Sequence, residues 1–433
     1  MLAVLMTFSG AAMAFCGTYV SSYDSLENTT SEVAIVRQAM RTTLTVASDV
    51  VGDARDFAMV IPVPLVLPED AIHVIDSAVF DRLRGYSDPR EVSYDCADFA
   101  PEEADADADS DADSDADGDA DSDVQIEAQY VVGEYDVTIL SADESSALVD
   151  WLQGSGYAVP DASAELLGEY ITGGSYFFAA QVREDAAIAS GQTLSPLQFS
   201  YPSESFGLPI RIGTLNSPGE QNVAIYAFTD YDDGRVGISN YPEVEVDHDC
   251  MWPSDGEESF TQYYDRVTTE AHASQSDASW ITEYAWGQGS CDPCTGVVPT
   301  SEDVVTLGYQ PDYHYGMYYY FTRLAMRYTP EQATRDLTLY TSGLQENQQM
   351  RFIQYDHDLE DRFEVCGEGW VESPGSCDDE WGVNAVSGLD GEAGDDGAGG
   401  GCGCGTAPAG RAALAVALGV IAMVGYRRRL AGE

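Results

Sequence analysis

From Glu102 to Asp123 the chain alternates Asp with Ala or Ser almost without a break. No apolar side chain there offsets the entropy lost on ordering, and neighbouring carboxylates repel, so the segment is expected to be disordered and extended. A chain of 433 residues must then build its core from two separated pieces, 15–100 and 124–378. Residues 101–123 form an Asp-rich linker between them. Within the linker, Asp113, Asp115 and Asp117 followed by Gly118 copy the first half of an EF-hand calcium loop. The twelfth position of that loop should be Glu and is Val124, and flanking helices are absent from the pattern. A solvated spacer that binds calcium weakly and diffusely is the expectation, with no other cofactor.

The charge balance narrows the partners. Asp and Glu total 75 against 19 basic residues, all of them Arg, for a formal charge of -56. Without lysine there is no Schiff-base or lysine-base chemistry. Nucleic acid is excluded as a partner, because neutralising phosphates needs clustered cations. Anionic lipid headgroups are repelled for the same reason.

Both ends read as export signals. An apolar run, Leu2-Ala3-Val4-Leu5-Met6, closes on Ala12-Met13-Ala14, so 1–14 reads as a signal peptide cut by signal peptidase after Ala14. No basic residue precedes the run, which leaves the start codon open. At the other end a Gly/Asp-rich linker, 379–401, leads into Cys402-Gly403-Cys404, an apolar stretch 412–426 and Arg427-Arg428-Arg429. The stretch is shorter than the ~20 residues that span a bilayer comfortably, and the arginines should stay cytoplasmic, leaving the body outside. This order of parts in 402–433 resembles the MYXO-CTERM sorting tail of myxobacteria and their relatives. The resemblance implies a sorting protease as partner, with Cys402 or Cys404 as the attachment point. An uncleaved tail anchor is the alternative, and either way the protein is expected at the cell envelope or surface.

The body reads mostly as strands: Val33 to Gln38, Thr42 to Ala47, Asp56 to Val63, Tyr176 to Arg183, Pro209 to Thr214, Val223 to Thr229, Tyr319 to Tyr328, Leu337 to Thr341 and Arg351 to Tyr355. Pro62 and Pro64 either end their strand or mark a sheet edge. A stretch with alternating character covers Gln125 to Leu140. Ser141 and Glu144 then read as a capping box for a helix bearing Leu148, Trp151 and Leu152 on one face. Gly154 and Gly156 stop that helix, and a second short helix covers Asp161 to Ile171. The fold class is β-rich α+β, with largely antiparallel sheets, a few short helices and the acidic loop as an interruption.

Several collinear blocks carry a further resemblance. They are Asp53 through Pro64 (DARDFAMVIPVP), Trp151-Leu152 leading to Gly156-Tyr157, Cys291-Asp292-Pro293-Cys294, and Thr322-Arg323-Leu324 leading to Arg327-Tyr328-Thr329. A late stretch, Gln348 to Phe352, echoes them. The body resembles the family called domain of unknown function 2330. The resemblance implies an exported bacterial domain and supplies no catalytic residues.

Nine cysteines in an exported chain suggest disulfides. Cys291 with Cys294, and Cys366 with Cys377, are near enough in sequence to pair. A redox Cys-x-x-Cys would want a helix N-terminus in a βαβ setting, and a zinc half-site would want a second ligand pair; neither accompanies Cys291 and Cys294. The five histidines lack metal-ligand spacing, and Asp247-His248-Asp249-Cys250 would alternate between strand faces. No nucleophile elbow or phosphate loop occurs. In the aromatic run 313–321, Tyr313, Tyr315, Tyr318 and Tyr320 are binding candidates, tyrosine offering flat apolar area with a polar tip. The competing reading is a strand with alternate rings in the core. A non-catalytic binding or envelope-structural module follows, with a secreted hydrolase of dispersed carboxylates as the alternative.

Overall fold

The computed structural model describes residues 18–21, 27–51, 57–95, 125–155, 159, 163–183, 194–216, 219–246, 258–291, 297–312, 316–345, 347–353 and 384–387. Two sheets dominate. The smaller has five strands in the order β1 (Thr18–Ser21), β4 (Phe57–Val63), β9 (Tyr176–Val182), β8 (Tyr135–Ser141) and β7 (Gln125–Val132). The larger has eight: β17 (Gln348–Gln349), β14 (Ser279–Gly287), β15 (Tyr319–Tyr328), β12 (Gln221–Asp230), β2 (Glu27–Gln38), β3 (Arg41–Val51), β10 (Leu197–Pro202) and β5 (Ile72–Val74). Pairing is antiparallel in both except between β2 and β12, which run parallel. Residues from before and after the acidic linker share each sheet, so neither piece closes a core alone.

The sheets pack face to face. Val33, Ile35, Leu44, Val223 and Ile225 of the larger sheet meet Met59, Ile61, Val137, Ile139, Phe178 and Ala180 of the smaller in one buried cluster. Each outer face is covered as well. Helices α2 (Ser145–Gly154) and α3 (Ser163–Thr172) place Leu148, Leu152 and Leu167 on Val60, Leu140 and Phe177. On the other side α1 (Ala78–Ser87) and α5 (Ser301–Thr306), with Leu307 just after it, place Phe80, Leu83, Val304 and Leu307 on Val36, Tyr226, Phe228 and Phe321. The result is four layers, helix–sheet–sheet–helix. Central strands are thus apolar on both faces, which is why they read as continuous apolar runs rather than as alternation.

Two small sheets complete the fold: β11 (Gly207–Leu208), β16 (Leu337–Thr341) and β13 (Val236–Ile238), and β18 (Arg351–Ile353), β6 (Arg90–Asp95) and β19 (Asn384–Ser387). Helix α4 (Phe260–Ala273) packs Tyr263 against Ile281, Met350 and Phe352. Among the described residues no helix is long and apolar enough to cross a membrane; the stretch 412–426 lies outside them.

Several sequence readings change. Ser141 does not open a capping box: it ends β8 and donates to the Glu127 carboxylate at 2.5 Å. The residue that caps α2 is Glu144, without a side-chain bond. Pro209 to Thr214 is not a strand but a link into a 3-10 turn at Ile212–Asn216, because Pro209 has no N–H for a ladder and the Arg211 amide is taken by Asp336 at 3.1 Å. The proline reading holds: β4 ends at Val63, immediately before Pro64, and Pro62 lies past Val60, where the pairing with β1 stops. Asn384–Ser387, within the expected 379–401 linker, pairs antiparallel with β6. Helices α1 and α4 and strand β14 were not read from the sequence, although Ser259 and Gln262 form a reciprocal capping box at the head of α4.

Candidate functional site

At one end of the larger sheet Tyr318 and Tyr231 form a ledge. Tyr318 is 47% exposed, and one face of its ring stacks on Tyr231, centroids 4.3 Å apart with 23° between planes. Tyr231 in turn meets Tyr320 edge-on at 6.1 Å. The Tyr318 backbone is pinned: its carbonyl accepts from the Tyr231 amide at 3.2 Å and from the Tyr309 hydroxyl at 2.8 Å. Gly287 permits this packing, since a Cβ there would stand 2.6 Å from the Tyr231 ring. Beside the stack run Asp232 and Asp233, in a 3-10 turn, and the exposed Leu344, whose carbonyl accepts from the Arg235 amide at 3.0 Å. The Asp233 carboxyl is pushed up by burial and by Asp230 and Asp232, with Arg37 opposing.

Behind the ledge, on the face covered by α1, polar residues sit inside apolar strands. Between β14 and β15 the register shifts at Thr282/Tyr284, which makes Glu283 the extra residue of a β-bulge, a feature that re-aims a side chain. Its carboxylate accepts from Tyr264 of α4 and stands 2.6 Å from Arg323 Nε of β15. These last two atoms lack hydrogen-bond alignment, so charge rather than direction holds them. Arg323 also pairs with Asp88 and lies over the Tyr226 ring, 5.2 Å from its centroid. Tyr226 donates to Glu32 at 2.7 Å, and Glu32 accepts from Arg84 of α1 at 3.1 and 2.8 Å.

Burial pushes the Glu283 carboxyl up to about 7, with the Tyr264 hydrogen bond pulling back; the guanidinium beside it also favours the carboxylate. The same burial lowers Arg323 to about 9 and raises Tyr226 and Tyr264 well above the usual tyrosine range. Glu283 and Arg323 are 2% and 8% exposed. Both charges are therefore spent on holding α1, α4 and four strands together, not offered to a substrate. The usable sequence signal was a charge inside an otherwise apolar strand: Glu32 in SEVAIV, Glu283 in WITEYAW and Arg323 in YYFTRLA.

The binding tyrosines divide. Tyr318 faces solvent, whereas Tyr320 is fully buried and belongs to the core, because its strand is covered on both sides. Tyr319 and Phe321 are buried too, so the rings do not alternate between core and solvent. Tyr313 and Tyr315 lie outside the described residues. So do Asp113, Asp115 and Asp117, the segment Asp247 to Cys250, and Cys294, Cys366, Cys377, Cys402 and Cys404. Cys291 is disulfide-bonded and half-buried beside the cluster under α1. Just before it, the Ser290 carbonyl accepts from both Tyr86 and Tyr284, at 2.8 and 2.5 Å. No group of three or more metal-ligating residues occurs among the described residues.

A family model described as an uncharacterised protein conserved in bacteria (DUF2330) matches residues 10–340. The chain belongs to this family. The DUF2330 match spans the five-stranded sheet, all of the eight-stranded sheet but β17, the acidic linker, Tyr231, Tyr318 and all members of the Glu283–Arg323 network, and it stops short of Leu344 and the tail. No curated protein matches, and no solved structure matches.

Proposed function

We propose that this DUF2330 protein is an exported module, held at the cell envelope by its C-terminal tail, that binds a partner rather than transforming a substrate. The Tyr231–Tyr318 ledge is its recognition surface. One observation carries the reading: a large ring, pinned through its own backbone carbonyl and stacked on one face, is left open to solvent on the other. Rigid aromatic area of this kind binds at low entropic cost. The acidic linker acts as a solvated spacer, and export is supported by the apolar run before Ala14 and by the apolar stretch 412–426 followed by Arg427-Arg428-Arg429. Binding by the full-length chain to isolated envelopes tests the proposal. Tyr318→Ala should weaken binding severalfold without changing the near-ultraviolet circular dichroism of the core, and unchanged binding would refute the assignment.

The hydrolase reading has one observation in its favour, the raised carboxyl of Glu283. Against it stands the engagement of that group by Tyr264 and Arg323. Glu283→Gln that retained its fold but lost a measured hydrolytic activity would restore it.

A further inference from the structure

We propose that the ledge takes an arginine side chain from a basic segment of a partner protein, the guanidinium lying on the free face of Tyr318. This rests on the reading of the ledge as the recognition surface and names what that surface accepts. The face of a tyrosine ring is electron-rich and attracts a planar cation. With its other face on Tyr231 and its backbone pinned, the ring is held ready for one flat group.

The surroundings choose the sign. A phenolate on Tyr318 is disfavoured by desolvation first, then by Tyr231 and by the neighbouring Asp232 carboxylate. Asp230 accepts from Tyr309 and Gln38, at 3.0 and 2.8 Å, and keeps a carboxylate behind the stack. The nearby cations are committed elsewhere: Arg37 lies over Phe206 and donates to Thr42, and Arg235 pairs with Glu243. The exposed Leu344 in the adjoining loop offers apolar contact to the methylenes of an arriving arginine. This chain itself uses the same pairing inside its fold, with Arg323 over Tyr226, Arg266 over Tyr263 and Arg335 over Tyr241. A formal charge of -56 draws such a partner in from a distance and repels anionic ligands.

The test uses the full-length chain and two probes at physiological salt: N-acetyl-triarginine amide, and the neutral oligosaccharide hexa-N-acetylglucosamine. Tyr318→Ala should weaken triarginine binding about threefold to fivefold, Tyr318→Phe should keep it, and Asp232→Asn should cost about twofold. The acidic linker is identical in every variant, so a difference between variants reports the ledge. Equal triarginine affinity in Tyr318→Ala and the parent overturns the inference, as does binding of neither probe. Tyr318-dependent binding of the oligosaccharide alone also overturns it while leaving the recognition surface standing. Envelope binding indifferent to Tyr318 would instead remove that surface.

Discussion

Removing Arg323 while leaving its partners in place tests the account of the buried network. In Arg323→Met the side chain keeps length and apolar character, but Glu283, at 3% side-chain exposure, loses the guanidinium at 2.6 Å. Tyr264 is then the side chain left to hydrogen-bond it. Breaking a buried pair by deleting one partner costs about 3–5 kcal/mol. With a urea dependence near the upper end of the usual range, about 3 kcal/mol per molar, the unfolding midpoint should fall by roughly 1–1.7 M.

The loss should depend on pH. Burial holds Glu283 above its unfolded value of 4.5, at about 7, and without the cation its pKa rises further. A carboxyl raised on folding contributes stability that is fully present below the unfolded pKa and is lost as pH rises through the folded one. The variant should therefore be closest to the parent at pH 5 and furthest from it at pH 8. Adding Glu283→Gln to Arg323→Met should remove most of that pH dependence. Denaturation curves at the two pH values give the answer: a deficit below about 1 kcal/mol at pH 8, or one that does not change with pH, would refute the claim that this pair is buried and interdependent.

Other expectations are simpler to check. Gly234→Ala should destabilise the ledge, because φ there is +67° and a Cβ would meet the Leu344 carbonyl at 2.2 Å; a cost of about 1–3 kcal/mol and weakened partner binding are expected, and wild-type behaviour would contradict the geometry. Non-reducing peptide mapping should find the disulfide of Cys291 joined to Cys294, and a different partner would discard that pairing. Intact-mass analysis of protein from its own envelope should show a C-terminus trimmed after the Gly/Cys motif. A full-length tail would leave only the uncleaved anchor.

How far the sequence could be read depended on what kind of burial each segment meets. Tyr319 to Tyr328 and Leu337 to Thr341 emerge as strands with the expected bounds, since their β-branched and aromatic content suits only extended backbone at that length. Helix α4 leaves little trace in the sequence because only Tyr263 and Thr268 of its fourteen residues are buried, so its apolar stripe is thin. Strand β14 is illegible for the opposite reason: eight of its nine residues are buried, and an apolar run carries no period when both faces are covered. The ledge was half legible. Tyr318 was named from the aromatic run, but its stacking partner Tyr231 lies 87 positions earlier and meets it only through the end of the sheet.

By itself the sequence determined the β-rich class and the membership of a bacterial family. Each follows from local composition, from spacing, or from collinear blocks along the chain. Tertiary structure alone decided that two sheets stack between two helical layers, that a bulge turns Glu283 onto Arg323, and that of two neighbouring candidate tyrosines one is core and the other surface. Those outcomes depend on which strands become neighbours and which faces are covered, and contacts between residues far apart in the chain leave no period in the sequence to read.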